Sequence, residues 1–351
     1  SDVCSSDLQT SNEAIQLNNV GNGANGIVIG DPSLANDYNV FDNHTRCINA
    51  LNSNLTSYNN IFQNTQFNFS PIAYGIFAEN NYSNPLVLYP KLVLTSPNNP
   101  VNCINRFYNC HYGINAINQA TFNMAYTYMA SSQSSLVPTW PMQPGFCGVN
   151  ILTNRFNDYK VNNCRFINLA IGMWAKTDAN YLSPGMHGLS YGSFSITTNL
   201  FCPSTTTTVA SGNRYMICGI LFQSAINTSG VGCAGCPGPP IVSYVNTQPN
   251  FGLRILYNNF NKVMQPVSLE NLNENTYTKT VANNVVHLAP TTHTAIVPKG
   301  ISAKYVYFGA LNSNTIVGIG TSTASAASGI FSNLNTNTGV QCNVVSNLPR
   351  G

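Results

Sequence analysis

A short phrase of apolar and polar positions recurs along the chain. It opens on an aromatic residue, has Asn two positions later, and reaches a small residue and an aliphatic residue six and seven positions after the aromatic one. Copies begin at Phe41, Phe107 and Phe166, and the copy at Phe260 keeps the spacing with Lys262 in place of the Asn. Apolar residues at every second position predict short strands with one buried face.

The second half of the phrase is the more regular half. It recurs as Ile48-Asn-Ala50, Ile76-Phe-Ala78, Ile114-Asn-Ala116, Met173-Trp-Ala175, Ile220-Leu-Phe222, Val267-Ser-Leu269 and Ile301-Ser-Ala303. Asn pairs such as Asn59-Asn60 and Asn283-Asn284 lead a second strand upstream of the aromatic residue. The chain therefore consists of repeats of roughly 22 to 30 residues, each with two or three short strands joined by bends.

Asparagine at the bends has a physical explanation. A tight corner between strands needs one residue in the left-handed region of backbone conformation, which only Gly, Asn and Asp adopt at low cost. If the coils stack, these Asn residues align, and side-chain amides about 4.8 Å apart can hydrogen-bond along the stack. We therefore expect an internal ladder of Asn side chains with a structural role.

This pattern resembles the right-handed parallel β-helix of the pectin-lyase-like superfamily. The resemblance covers nearly the whole chain after Gln9, and it concerns the fold more than any one family within it. It implies an all-β solenoid with loops inserted at some corners. The alternatives are a seven-bladed propeller, which needs four strands in about 40 to 45 residues, and tandem β-sandwiches, which need linkers that the sequence lacks.

The two ends of the chain need separate treatment. Residues 1–8 resemble the translation of a common short-read sequencing adapter, and we predict that they are an artefact. At the other end, Val345, Asn347 and Gly351 repeat the phrase, so the chain stops where the next aliphatic strand is expected. We therefore expect residues 9–351 to form one incomplete β-helix domain, truncated at both ends, whose signal peptide was lost with the natural N-terminus.

Composition excludes several classes of protein. Only 7% of the residues are charged and the net charge is +3, whereas an ordinary soluble domain is about 25% charged. Helical bundles need charged outer faces, and nucleic-acid binding needs a basic stripe. No run of about 18 apolar residues could span a bilayer. We expect no nucleic-acid partner and no membrane span, and the oligomeric state stays open.

The cysteine content is high for a cytosolic protein and is compatible with an oxidising compartment. Cys233 and Cys236 form the only CxxC motif. A structural zinc site needs four ligands, and the sequence has no second CxxC motif and no nearby His to supply the other two. A disulfide-tied loop is therefore favoured over a metal site. Several other cysteines occupy apolar strand positions, where a free thiol acts as a small hydrophobic side chain.

One outward column of the predicted strands is unusually charged. Three residues after each aliphatic position, the chain has Leu51, Glu79, Ile117, Lys176, Gln223, Glu270 and Lys304. One interpretation is a solvated sheet face with alternating charges that discourage edge pairing. The other is a carbohydrate-binding groove, in which the charged residues bond to the ligand while Trp174 and Phe77 stack on sugar rings. The second interpretation makes Glu79, Trp174, Lys176, Glu270 and Lys304 the candidate ligand-binding residues.

The sequence offers little for catalysis. Hydrolysis of a glycosidic bond needs carboxylates at a fixed separation, and elimination needs a Lys or Arg base, but most acidic residues here are isolated. The best acid/base group is Lys176, Asp178 and His187. His44 and His111 fall at bends, where we expect exposed polar side chains. We predict no cofactor and no metal site.

Two classes of function follow. The first is a non-catalytic secreted or cell-surface β-helix that serves as a rigid stalk, adhesin or glycan-binding scaffold. It is similar to the weakly charged, Asn-rich repeat proteins that bacteria such as the Bacteroidetes secrete. The alternative is a polysaccharide lyase or glycoside hydrolase acting on carbohydrate bound along the outer sheet face. The expected partner in both cases is a polysaccharide or cell-surface glycan.

Overall fold

The computed structural model describes the chain in segments whose regular structure is β-strand. These are residues 12–20, 26–31, 38–65, 72–80, 91–95, 104–119, 121–132, 145–152, 158–177, 192–203, 216–224, 251–270, 272, 278–288, 297–307, 309–319, 327–335 and 337–348. Within these segments no helix is long and apolar enough to cross a membrane. Residues 1–8, the predicted artefact, lie outside them.

The described segments contain 29 strands. The first ten are β1 (Glu13–Asn18), β2 (Ile27–Ile29), β3 (Asn39–Asp42), β4 (Arg46–Leu51), β5 (Leu55–Ser57), β6 (Asn60–Gln63), β7 (Tyr74–Glu79), β8 (Lys91–Leu94), β9 (Arg106–Tyr108) and β10 (Tyr112–Ile117). The next ten are β11 (Thr121–Ala125), β12 (Tyr128–Ala130), β13 (Cys147–Leu152), β14 (Asp158–Asn162), β15 (Arg165–Ile167), β16 (Ile171–Thr177), β17 (Gly192–Thr197), β18 (Leu200–Cys202), β19 (Met216–Ser224) and β20 (Phe251–Leu256). The last nine are β21 (Asn259–Glu270), β22 (Lys279–Ala282), β23 (Val285–Leu288), β24 (Lys299–Lys304), β25 (Gly309–Asn312), β26 (Thr315–Gly318), β27 (Ser328–Asn333), β28 (Gly339–Gln341) and β29 (Val344–Ser346).

The chain winds through three faces in a fixed order. A sheet of 19 strands supplies two faces and a sheet of 10 strands supplies the third. The stripe face holds β1, β4, β7, β10, β13, β16, β19, the end of β21, β24 and β27. The third face holds β2, β5, β8, β11, β14, β17, β20, β22, β25 and β28. The aromatic face holds β3, β6, β9, β12, β15, β18, the start of β21, β23, β26 and β29. One strand from each face, in that order, makes one coil.

Neighbouring coils pair in parallel, and the register is constant along the described strands except for a shift between Asn261 and Val263, where β21 pairs with β23. On the stripe face Ile48 pairs with Ile76, which pairs with Ile114, so the aliphatic residues of the phrase stack directly. The inward residues of all three faces form one apolar core that runs through the coils. The predicted all-β parallel β-helix is confirmed, with three strands in each coil.

The aromatic residues that open the phrase stack inside the aromatic face. The rings of Phe41 and Phe62 are 5.2 Å apart, and those of Phe62 and Phe107 are 4.6 Å apart. A second run of three Phe residues begins at Phe166, with separations of 4.7 and 4.8 Å. Met129 lies in register between the two runs. The recurring aromatic position is therefore a continuous core contact between coils.

The small residue of the phrase is dictated by these rings. A Cβ placed on Gly172 would lie 2.5 Å from Cε1 of Phe201 and 2.7 Å from the carbonyl oxygen of Gly219. A Cβ on Gly75 would likewise lie 2.5 Å from Cδ1 of Phe107. Real Cβ atoms essentially never approach other atoms to less than 3.0 Å. The spacing between the aromatic residue and the glycine thus reflects packing between adjacent coils.

Left-handed residues stand at the bends, as predicted. Between the aromatic face and the stripe face, Asn43, Asn109 and Asn168 have φ values of 60°, 56° and 52°. The bend between the third face and the aromatic face has positive φ at Asn59, Tyr126, Asn163, Thr198, Tyr257, Asn283, Ser313 and Cys342. Five of these eight are not Asn, although the conformation costs such residues roughly 1 to 2 kcal/mol. The conformational cost of a positive φ therefore does not by itself decide which residue occupies this bend.

The predicted Asn ladder is present at the bend between the third face and the aromatic face. Nδ2 of Asn199 donates to Oδ1 of Asn258 at 3.0 Å. The same bond continues through Asn284, Asn314 and Asn343 at 3.0, 2.9 and 2.9 Å. Each accepting oxygen also receives the backbone N–H of the preceding Asn. Every amide in this run is therefore held on both sides.

The ladder has a second part near the start of the chain. Nδ2 of Asn39 donates to Oδ1 of Asn60 at 2.8 Å, and the backbone N–H of Asn60 donates to Oδ1 of Asn105. Thr127 and Cys164 occupy the next two positions and interrupt the run of amides. The Asn residues two positions after the aromatic residues have other partners and do not form the ladder.

The two bend histidines are buried, so the expectation of exposed polar side chains is wrong. His44 is 3% exposed and His111 is fully buried. Nδ1 of His111 accepts the backbone N–H of Ala73 at 2.9 Å. Because the bends stack from coil to coil as the strands do, the neighbouring coils cover these two histidine side chains.

We expect Gly172→Ala to lower the free energy of unfolding by about 1 to 3 kcal/mol, because its Cβ would overlap the Phe201 ring. Gly252→Ala is the matched control in another strand, since a Cβ there meets no atom within 4 Å. Urea denaturation followed by circular dichroism measures both variants. Equal effects of the two substitutions would contradict the proposed packing constraint.

We expect Asn258→Ala to lower the free energy of unfolding by about 3 kcal/mol or more. It removes the acceptor of Asn199 and the donor to the carbonyl of Ile196, and it leaves these buried groups unpaired. The neighbouring Asn259 is exposed, and Asn259→Ala should change the free energy by about 0.5 kcal/mol or less. Thermal and urea unfolding of the two variants compares them directly, and a comparable loss in both would disprove the ladder's role.

Candidate functional site

The predicted polar stripe is one continuous column on the stripe face. In register order it consists of Leu51, Glu79, Ile117, Leu152, Lys176, Gln223, Glu270 and Lys304. Leu152 belongs to a coil that the repeat pattern missed, because Met129 stands at its aromatic position. The strand register confirms that these residues align in one column. Their role in ligand binding stays a prediction.

Three of the candidate residues are joined through Gln223. The indole Nε1–H of Trp174 donates to Oε1 of Gln223 at 3.0 Å, and Nε2 of Gln223 donates to Oε2 of Glu270 at 2.8 Å. The ammonium of Lys176 lies 3.2 Å from the centre of the Trp174 ring. Gln223 therefore links an aromatic ring and its cation to a carboxylate two coils away from that cation.

Glu270 is the most strongly buried charged group of the column, at 7% exposure. Burial raises the pKa of the Glu270 carboxyl. The hydrogen bonds from Gln223 and Ser268 and the charges of Lys304 and Lys299 act in the opposite direction. Ionisation of Glu270 is thus less favourable here than in water.

Two lysines lie near Glu270, and each ammonium sits over an aromatic ring. Nζ of Lys299 is 3.7 Å from the centre of the Phe331 ring, and Nζ of Lys304 is 5.2 Å from that of Tyr305. Desolvation lowers the pKa of Lys299, and the carboxylate of Glu270 opposes this effect. The end of the stripe therefore balances one buried carboxylate against two nearby cations.

The middle of the stripe face is not a solvated surface, which corrects the first interpretation of the column. Trp174 is only 8% exposed. Beside it, Cys147, Ile171, Cys218 and Leu221 belong to a second apolar cluster, separate from the core. Their neighbours in the column are half-buried or buried rather than free in water. Alternating charges on an open sheet do not describe this region.

Glu79 lies apart from the other candidate residues. It is three coils from Lys176 and five coils from Glu270, which gives about 14 Å and 24 Å at about 4.8 Å per coil. A glycosidase pair needs carboxyl groups about 5 to 10 Å apart, so Glu79 and Glu270 cannot act together on one bond. Asp178 and His187 lie outside the described residues, and their acid/base role with Lys176 stays a prediction.

The cysteines of the described strands and bends are free thiols. All except Cys342 are buried, and burial raises the pKa of Cys110, Cys147 and Cys164 to about 12. This confirms their predicted role as small buried side chains. Cys233 and Cys236 lie outside the described residues, so the predicted disulfide-tied loop stays a prediction. The described part of the chain contains no group of three His, Cys, Asp or Glu that could hold a metal ion.

A second surface, which the sequence pattern did not identify, lies on the outer side of the aromatic face. It is a groove of about 790 Å³ that crosses the coils from β9 to the start of β21. Its prominent side chains are four tyrosines and two arginines: Tyr108, Tyr126, Tyr128, Tyr257, Arg106 and Arg165. Among the described residues that line it there is no carboxylate. We term this surface the tyrosine groove.

The tyrosine groove has an ordered arrangement along the helix axis. Arg106, Tyr128 and Arg165 occupy successive positions of one outward column, so an aromatic ring lies between two cations. The ring of Tyr108 is 5.7 Å from that of Tyr128. The outward residues flank the buried aromatic positions in sequence, as in Arg106-Phe107-Tyr108. This flanking pattern is the sequence signal that could have identified the groove. It indicates a shared surface only when the strands of successive coils are aligned.

We expect Glu270→Gln to change the pH dependence of stability in a defined direction. A carboxyl whose pKa is raised by folding stabilises the protein at low pH, and that contribution is lost as pH rises through the folded pKa. The free energy of unfolding of the Gln variant relative to the parent protein should therefore increase from pH 4 to pH 8. Urea denaturation across this range measures it, and a constant or falling difference would refute the assignment.

No family model matches the chain, and no significant match is found among curated proteins or solved structures.

Proposed function

We propose that the chain is a non-catalytic, rigid β-helix that binds carbohydrate along its sides and serves as a secreted or cell-surface stalk, adhesin or glycan-binding scaffold. The observation that carries this proposal is the continuity of the stack. The same kinds of contact recur along the stack, in two runs of amide bonds between Asn39 and Asn343 and two runs of stacked rings between Phe41 and Phe260. A rod built this way keeps side chains at fixed intervals along its length.

We also propose that the coil is right-handed and that the chain belongs to the pectin-lyase-like superfamily. Support comes from three parallel strands per coil, left-handed bend residues and a buried Asn ladder. Right-handed crossovers are the strong preference for parallel strands in one sheet.

Binding is favoured over cleavage by the state of the stripe residues. Lys176, the candidate base, has its ammonium on the Trp174 ring. Glu270 is tied to Gln223 and Ser268. Glu79 is about 24 Å from Glu270 along the stack. These contacts stabilise the sheet, and no carboxylate pair of the hydrolase type is formed by the described residues of the stripe.

The test is a panel of polysaccharides incubated with the full chain, with binding and cleavage measured on the same samples. The panel contains polygalacturonate, alginate, chondroitin sulfate, xylan and cellulose. We expect binding of at least one of them, by depletion or isothermal titration calorimetry, with no new reducing ends and no unsaturated uronate.

Two results would overturn the proposal. Failure to bind any member of the panel removes carbohydrate recognition. Cleavage that Lys176→Met abolishes, while binding persists, establishes the lyase or hydrolase alternative.

A further inference from the structure

We propose that the tyrosine groove is the carbohydrate-binding site and that its ligand is an acidic polysaccharide lying along the helix axis. This inference rests on the proposed function and names both the surface and the class of ligand. It places recognition on the aromatic face, whereas the sequence pattern pointed to the stripe face.

Charge is the first argument. Arg106 and Arg165 line the groove, and no carboxylate stands among its described lining residues. In a chain with only 14 Lys and Arg against 11 Asp and Glu, two arginines and no carboxylate among the described lining residues are a local excess of positive charge. Guanidinium groups bind carboxylate and sulfate in bidentate geometry, which suits acidic sugars.

Backbone conformation is the second argument. Tyr126 and Tyr257 stand at the left-handed bend with φ values of 51° and 57°. Asn59, Asn163 and Asn283 hold equivalent positions in other coils, so the low-cost residue is available and is not used. For a bulky side chain this conformation is an outlier. Tyr305 and Leu334 also adopt it away from the groove, so Tyr126 and Tyr257 are distinguished by lining one common surface.

Exposure shows which way one of these strained residues faces. Tyr257 is 60% exposed and lines the groove. Aromatic side chains with an apolar face and a polar end suit sugar rings, which also have an apolar face and polar edges. The strain at Tyr257 therefore holds a stacking surface out in the groove.

The spacing of the coils fits a chain of sugars. Successive coils are about 4.8 Å apart, close to the length of one pyranose residue in an extended chain. Arg106 and Arg165 are two coils apart with Tyr128 between them. An extended polysaccharide would thus present acidic groups to the two arginines on every second sugar, with the intervening sugar on the tyrosine.

A nucleic acid is the other polyanion that could stack on tyrosines. Single-stranded nucleic acid has one negative charge per nucleotide, and its binding sites carry a continuous positive groove. Two arginines and a net charge of +3 for the whole chain do not supply that field. The described lining of the groove therefore lacks the continuous run of cations that is typical of nucleic-acid sites.

The experiment compares variants of the full chain for binding to alginate, polygalacturonate and chondroitin sulfate by isothermal titration calorimetry, with neutral xylan and a single-stranded oligonucleotide as comparison ligands. We expect Arg106→Gln and Arg165→Gln each to weaken binding about tenfold and to reduce its dependence on salt. Tyr257→Asn should weaken binding by a similar factor while raising the Tm by about 1 to 3 °C, because Asn is the low-cost residue at this bend.

Ser313→Asn is the matched control. Ser313 stands at the same bend position with φ 55° but does not line the groove. It should gain thermal stability and keep the parent affinity. A loss of affinity in Tyr257→Asn without a loss of stability therefore separates binding from folding.

Four outcomes overturn the inference. Affinity unchanged in both arginine variants and in Tyr257→Asn moves recognition to another surface, while carbohydrate binding itself still holds. Equal affinity for neutral xylan removes the acidic ligand. Tighter binding of a single-stranded oligonucleotide assigns the groove to nucleic acid. Absence of binding to every carbohydrate instead overturns the proposed function as well.

Discussion

The amide ladder is the interaction on which the rest of the structure depends. A buried Asn side chain has donors and an acceptor that must all be paired, and one step of parallel stacking brings the next amide to hydrogen-bonding distance. Any slip of one residue between coils would break the bonds that join Asn199, Asn258 and Asn284. Register is therefore set at this bend, and every column on the three faces inherits it.

Much of the fold follows from sequence because this constraint is periodic. The neighbouring coil explains the aromatic residue, the glycine six positions later and the aliphatic residue after it, because each of them contacts that coil. The sequence pattern therefore reflects the packing between coils. Prediction failed where the period was broken. The coil that contains Leu152 was missed because Met129 stands at its aromatic position. The Met side chain fills the space that a Phe ring occupies in other coils, but it does not match the aromatic pattern.

The surface is harder to predict than the core for a physical reason. Burial restricts inward residues to a few shapes, whereas outward residues acquire meaning only from neighbours in other coils. The stripe was found because its charges recur at one phase, but its burial depends on the tertiary surroundings of Trp174 and Glu270. The tyrosine groove combines side chains from two different positions of the repeat. Arg106 and Tyr128 hold an outward strand position, and Tyr126 and Tyr257 hold a bend position. No single periodic position in the sequence marks it.

Constant register also has a consequence for how such a protein changes over time. Each described coil meets its neighbours through the same kinds of contact, so duplication or deletion of one complete coil would join surfaces that already match. The distance between two surface side chains, such as Arg106 and Arg165, would then change only in whole steps of about 4.8 Å. The molecule can therefore vary in length by discrete increments while the direction in which each column faces is preserved.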